Sequence, residues 1–155
     1  MPAPVKPIPD GYLGASPYLI CRGAAAAIDF YRRAFGAVER LRVGAGEQVG
    51  HAEVQIGQAV IMLADEFPQM GAVGPQTLGG TPVRIHVYVP DVDALARQAI
   101  AAGARVLRPL ADQFYGDRTV LLEDPFGHVW GFATHIEDVS PDEINRRAAA
   151  KFSNN

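Results

Sequence analysis

Alternating apolar and polar positions divide most of this chain into short strands, and two stretches break the alternation with helical spacing. Ala24, Ala27, Ile28, Tyr31, Ala34 and Phe35 recur in steps of three and four, the stripe of an amphipathic helix over 24–35 that Gly36 ends. Leu95, Ala99, Ile100 and Ala102 form a second stripe over 92–102, with Asp91 able to cap its first turn and Gly103 to end it. Around the first helix, 16–22, 38–43, 49–56 and 59–64 read as strands separated by turns at 44–46 and Gly57. Around the second, 83–89, 106–107, 119–123 and 128–134 do the same. Asp124-Pro125-Phe126-Gly127 joins the last two as a hairpin, because Pro presets φ at the second turn position and Gly suits the fourth. The order is β-α-β-β-β twice, a weak internal repeat marked by the glycine pairs Gly36 and Gly103, Gly57 and Gly127.

The expected organisation is therefore an arm over 1–14, a first module over 15–65, a connector over 66–81, a second module over 82–139, and a helix with its tail over 140–155. The arm holds prolines at 2, 4, 7 and 9 and has little to bury. The connector mixes Pro and Gly without periodicity. Ser140-Pro141-Asp142-Glu143 is a capping box with Pro at the first helical position, and Glu143 stands one turn from Arg147.

Length and composition change this picture only by exclusion. With 155 residues, 48% hydrophobic and 20% charged, the chain suits one compact domain or two half-size modules sharing a core. A net charge of −3 supplies no basic field for nucleic acid and no patch for a membrane. Cys21 is alone and cannot form an internal disulfide, and Pro interrupts the place where a signal peptide needs an apolar run. A reducing, cytoplasmic setting is the expectation.

Candidate chemistry comes from the polar strand faces. Over 83–89, Val83, Ile85, Val87 and Val89 share one face while Arg84, His86 and Tyr88 share the other. Over 51–56, His51, Glu53 and Gln55 alternate with Ala52, Val54 and Ile56. Tyr115-Gly116-Asp117-Arg118 enters the last hairpin and reads either as the lining of a ligand pocket or as a surface turn with a solvated Asp-Arg pair. His128 and His135 read as turn and strand-end residues, Trp130 as packing on the helix side, and Cys21 as a buried inert thiol.

DVDA at the start of the second helix, AAGA at its end and DPFGHVWGFATH at the last hairpin together resemble the glyoxalase, bleomycin-resistance and extradiol-dioxygenase superfamily, the vicinal oxygen chelate proteins, over roughly 15–139. DQFYGDR with DPFGHVWGFATHIEDVSPDE resembles its PhnB-like branch. The resemblance implies an α+β fold in which two βαβββ modules wrap into a half-open mixed β-barrel around a cavity, followed here by the C-terminal helix, and often completed as a homodimer. It also implies a divalent metal held by His or Gln, Glu, His and Glu. Carried over residue by residue, those positions fall on Ser16, on Ile61 or Leu63, on Arg84 and on Gly131. These are poor ligands, and Arg84 would set a positive charge where the ion belongs. The expectation is a lost metal site and no cofactor; a site rebuilt from His51, Glu53 and His86 is the alternative.

Three readings of function follow. One is a metal-independent protein that encloses or sequesters a small organic molecule. Another is a superfamily enzyme, a lyase, isomerase, dioxygenase or thiol transferase, with a relocated metal or with acid-base residues such as His86 and Glu53. The last is a fold kept for assembly. The expected ligand contacts are Arg84, His86, Tyr88, His51, Glu53, Tyr115 and Arg118, with Arg84 favouring an anionic or carbonyl-bearing ligand.

Overall fold

The computed structural model describes residues 1–153; Asn154 and Asn155, the end of the expected tail, lie outside them. The chain forms two compact units, Met1–Gly80 and the residues from Thr81 onward. The first runs β1 (Tyr18–Cys21), α1 (Ala24–Phe35), β2 (Val38–Ala45), β3 (Gln48–Ile56) and β4 (Ala59–Asp65), with sheet order β1-β4-β3-β2. β1 lies parallel to β4 and the other pairs are antiparallel. Leu19, Leu63 and Ala52 face each other across β1, β4 and β3, and Val54 faces Ile61. That face is buried with the stripe of α1, from Ala24 and Ala27 to Ala34. Each fully buried Leu or Ile there contributes about 2 kcal/mol.

The connector has local structure that its lack of periodicity hid. A 3-10 turn spans Pro68–Met70, and a single helical turn, α2, spans Pro75–Leu78. Each begins with Pro at its first turn, where the missing N–H costs nothing.

The second unit repeats the plan: β5 (Arg84–Tyr88), α3 (Val92–Ala102), β6 (Arg105–Asp112), β7 (Asp117–Glu123) and β8 (Val129–His135), then α4 (Pro141–Phe152). Its sheet order is β5-β8-β7-β6, with β5 parallel to β8. Both sheets are open and mixed, and neither closes into a barrel by itself. β6 is longer than the two residues expected, because Pro109 is tolerated on an edge strand and two register irregularities absorb the misfit. Asp91 caps α3 by accepting from the Ala94 N–H at 2.9 Å. Ser140 does the same for α4 from Glu143 at 3.2 Å. α4 buries no residue; Arg147, paired with Glu143 one turn earlier on the same helix, ties it down through Glu137 and the Phe114 carbonyl. No helix among the described residues is long and apolar enough to cross a membrane.

The hairpin over 124–127 forms as expected, and its cause lies partly in Asp124. This buried carboxylate accepts from the N–H groups of Phe126 at 2.9 Å and His128 at 3.0 Å, and from Trp130 Nε1 at 2.9 Å. Trp130 is fully buried and stacks on Phe132, with centroids 6.2 Å apart.

Candidate functional site

Strand parity in the second unit sorts the polar residues at the β7 entrance to opposite faces. Asp117 is paired in register with His135 on β8, and its two oxygens are both engaged. Tyr88 donates its hydroxyl to Oδ2 at 2.6 Å, and His135 Nδ1 meets Oδ1 at 2.8 Å. The other ring nitrogen of His135 meets Asp138 at 2.8 Å. Tyr88, Tyr115, Asp117, His135, Asp138 and Ser140 line an open cavity of about 530 Å³ that Val139 and Ile144 complete.

The electrostatics follow from this chain of contacts. Burial pushes the Asp117 carboxyl up, but the Tyr88 and His135 hydrogen bonds outweigh it and hold it below the usual carboxylate range. Asp117, then Asp138, raises the His135 imidazole above its ordinary value. The Tyr88 phenol is raised, first by its bond to Asp117. An imidazolium held between carboxylates can store a proton beside an open cavity.

Of the residues expected to contact a ligand, Tyr88 and Tyr115 come together at this cavity. His86 stands beside Tyr88, edge to face, with centroids 5.2 Å apart. Arg84 is exposed on the same strand and is not among the lining residues. Arg118 points the other way: its guanidinium pairs with Asp93 of α3 at 2.8 Å and with Asp112 at 3.0 Å. The solvated Asp117-Arg118 pair is therefore replaced by two separate networks on opposite faces of β7. His51 and Glu53 lie in the first unit, where His51 Nε2 is 3.3 Å from Glu53. Tyr12 of the arm donates to the other Glu53 oxygen at 2.5 Å, and the Tyr18 hydroxyl meets His51 Nδ1 at 2.7 Å. The Tyr12 bond, aided by His51, holds the buried Glu53 carboxyl below its usual range against the cost of burial.

Sequence reading missed Asp117, His135 and Asp138 as a group, and missed Tyr12 and Tyr18. Even steps outward from the 124–127 turn would set Asp117 against Thr134; the actual register, in which the Asp124 N–H donates to the His128 carbonyl, sets it against His135, so the turn residues alone do not announce this pair. The Tyr12 contact bridges an arm and a strand far apart in sequence, so no periodicity announces it.

The superfamily's metal positions can now be tested against geometry. Ser16 precedes β1, and Ile61 and Leu63 are buried on the core-facing side of β4. His86, not Arg84, pairs with Gly131, and its ring occupies the space above that glycine; a Cβ at 131 would lie 2.9 Å from His86 Nδ1. The residues at these four positions do not fit a divalent metal, because they offer neither a carboxylate nor an imidazole. Among the described residues, no group of three or more His, Cys, Asp and Glu side chains is arranged to hold one elsewhere.

Comparison with known proteins agrees with this fold. Residues 15–132 match the sequence model of the Glyoxalase/Bleomycin resistance protein/Dioxygenase superfamily. An uncharacterized protein of Mycobacterium bovis is 47% identical over 133 residues, covering 83% of this chain and 88% of its own. An uncharacterized protein of Mycobacterium tuberculosis strain H37Rv is also 47% identical, over 83% of this chain and 78% of its own. Among solved structures, TioX from Micromonospora sp. ML1 is 31% identical with a TM-score of 0.64, over 79% of this chain and all of that one (100%). The fosfomycin resistance protein FosX from Listeria monocytogenes shares the fold at 16% identity and a TM-score of 0.61, covering 84% of this chain and 96% of its own. The repeated βαβββ units, the match over 15–132 and these likenesses lead to one conclusion: the chain belongs to the Glyoxalase/Bleomycin resistance protein/Dioxygenase superfamily.

Proposed function

We propose that this protein binds a small organic molecule without the superfamily's metal, and that the cavity around Tyr88, Tyr115, Asp117 and His135 holds it. The observation that carries the reading is the convergence of two tyrosine rings and a hydrogen-bonded carboxylate-imidazole pair on one cavity of about 530 Å³, a size suited to a small organic ligand. The rings supply flat apolar contact, and Asp117 and His135 fix orientation. The polar face of β5 continues through His86 to Arg84, so an anionic or carbonyl end lying along the strand meets a guanidinium there. His51 and Glu53 form a separate polar patch, held by Tyr12 and Tyr18. The working form is a homodimer, and the buried thiol of Cys21 suits the reducing cytoplasm.

The test is a thermal-shift screen of small organic molecules in the presence of chelator, followed by calorimetry. Tyr88→Ala and Tyr115→Ala should each weaken a hit about tenfold, the order of one lost aromatic contact, while Arg97→Ala on α3 leaves it unchanged. Hits that bind only with added divalent metal, or equally to all three variants, would refute the reading.

A second reading, an acid-base enzyme, rests on His135 being held between Asp117 and Asp138. In that case His135→Gln abolishes turnover of a compound that the variant still binds; unchanged turnover would exclude His135 from the chemistry.

A further inference from the structure

The first unit contains a cavity that the reading above does not use. It has a volume of about 630 Å³, and Tyr18, Ile20, Phe67 and Met70 supply much of its apolar lining, with Asp65 and Glu66 set among them. Among the described residues, no Lys, Arg or His lines it.

Both carboxylates are fixed in position. Asp65 accepts from the N–H groups of Ala24 at 2.6 Å and Val49 at 2.7 Å. Among the described residues, no Lys, Arg or His side chain is ion-paired with it. Glu66 accepts from the Gly74 N–H at 2.9 Å and from the Thr77 hydroxyl, and its ion-pair partner Arg22, 3.7 Å away, has a largely exposed side chain. Solvent weakens that pair, so the negative character of this wall is only partly offset.

The outer wall is also held in place. Phe67 and Ala72 exchange backbone hydrogen bonds at 2.7 and 3.2 Å around the 3-10 turn. This closed turn keeps Phe67 and Met70 at the rim, where they are 52% and 80% exposed. The fold gains little from large apolar side chains so placed; a ligand lying against them would.

We propose that this cavity binds organic cations with an apolar body, of the amine or quaternary ammonium class. The apolar walls take the body, Phe67 and Tyr18 offer ring faces to the positive charge, and Asp65 and Glu66 supply the counter-charge. A carboxylate or phosphate ligand is disfavoured, since it would meet two like charges and no donor side chain of opposite sign.

The test uses the full chain labelled with ¹⁵N and two probes of similar size, benzyltrimethylammonium and phenylacetate. Benzyltrimethylammonium should shift amides over 18–20, 44–50 and 64–72, while phenylacetate binds there at least tenfold more weakly. Phe67→Ala and Met70→Ala change exposed side chains and leave the fold intact; each should weaken the cation about fivefold. Glu66→Gln, which keeps an acceptor for Gly74, should weaken it by a similar factor, and Glu39→Gln should not. Equal binding of the two probes overturns the proposal. So do cation-induced shifts confined to residues around Tyr88, Asp117 and His135, or affinities unchanged in both Phe67→Ala and Met70→Ala.

Discussion

Gly131 and His86 share one small volume, and neither can be understood without the other. A methyl group at 131 would press against the imidazole at 2.9 Å, so Gly131→Ala should destabilise the protein by about 1 to 2 kcal/mol through overpacking. His86→Ala in the same chain should recover most of that loss, because the clash and its partner disappear together. Urea unfolding of both single variants and the double variant measures the coupling, and additive losses would mean that the ring simply swings away. His135 makes a second residue-scale prediction. Its proton is retained in the fold above the ordinary value of 6.5, so its contribution to stability is complete below about 6.5 and fades as pH rises through the raised folded value. Asp117 is held below its ordinary 3.8, so its contribution is present above that value and is lost as pH falls through the folded one. NMR titration of His135 should therefore give a midpoint above 6.5, moving down in Asp117→Asn and less far in Asp138→Asn. A native midpoint at or below 6.5 would contradict the carboxylate-imidazole account.

At the scale of elements, the 124–127 hairpin shows what sequence can and cannot reveal. Pro125 and Gly127 announce the turn, but its strongest tie is the Asp124 carboxylate with its three donors, two from the turn backbone and one from Trp130. Asp124→Ala takes this acceptor away from all three donors in a buried place, and a loss of about 3 kcal/mol is expected. Asp124→Asn keeps an acceptor and should cost less; denaturant midpoints of the two variants compare them, and equal losses would deny the carboxylate this part. α1 and α3 were legible from their apolar stripes and glycine stops, α4 from its Ser140 cap with Pro141, and the hairpin from Pro125 and Gly127. β6 was not, since Pro109 and the arginines at 105 and 108 hide an edge strand whose pairing is set by β7. The candidate site was half legible: Tyr88 follows from alternation on β5, whereas Asp117 and His135 are joined by cross-strand register, which no local window contains. Arg118, expected to contact a ligand, pairs with Asp93 and Asp112 and does not line the cavity of this site, as its neighbour's face is not its own.

For the whole molecule, the repeat was readable because each βαβββ unit carries its own periodicity and glycine stops. Association is another matter, and it is where the open sheets lead. In the first sheet, β2 is an edge strand with Val38, Leu41 and Val43 exposed at 64%, 44% and 54%. Unpaired strand edges with apolar side chains are ready templates for another strand, and proteins cover or blunt them. β2 carries Glu39, Arg40 and Arg42 among these residues, yet Glu39 and Arg42 are bound to each other at 2.9 Å, which removes part of their power to repel a partner. A second copy of the chain is the covering to expect, through a self-complementary interface. Sedimentation velocity at micromolar concentration should give a species of about twice 16.6 kDa. Leu41→Lys with Val43→Lys should shift it toward monomer without unfolding it, since both side chains are exposed. A native chain that sediments as a monomer at that concentration would remove the dimer, and a dimer unaffected by the paired lysines would move its interface away from β2.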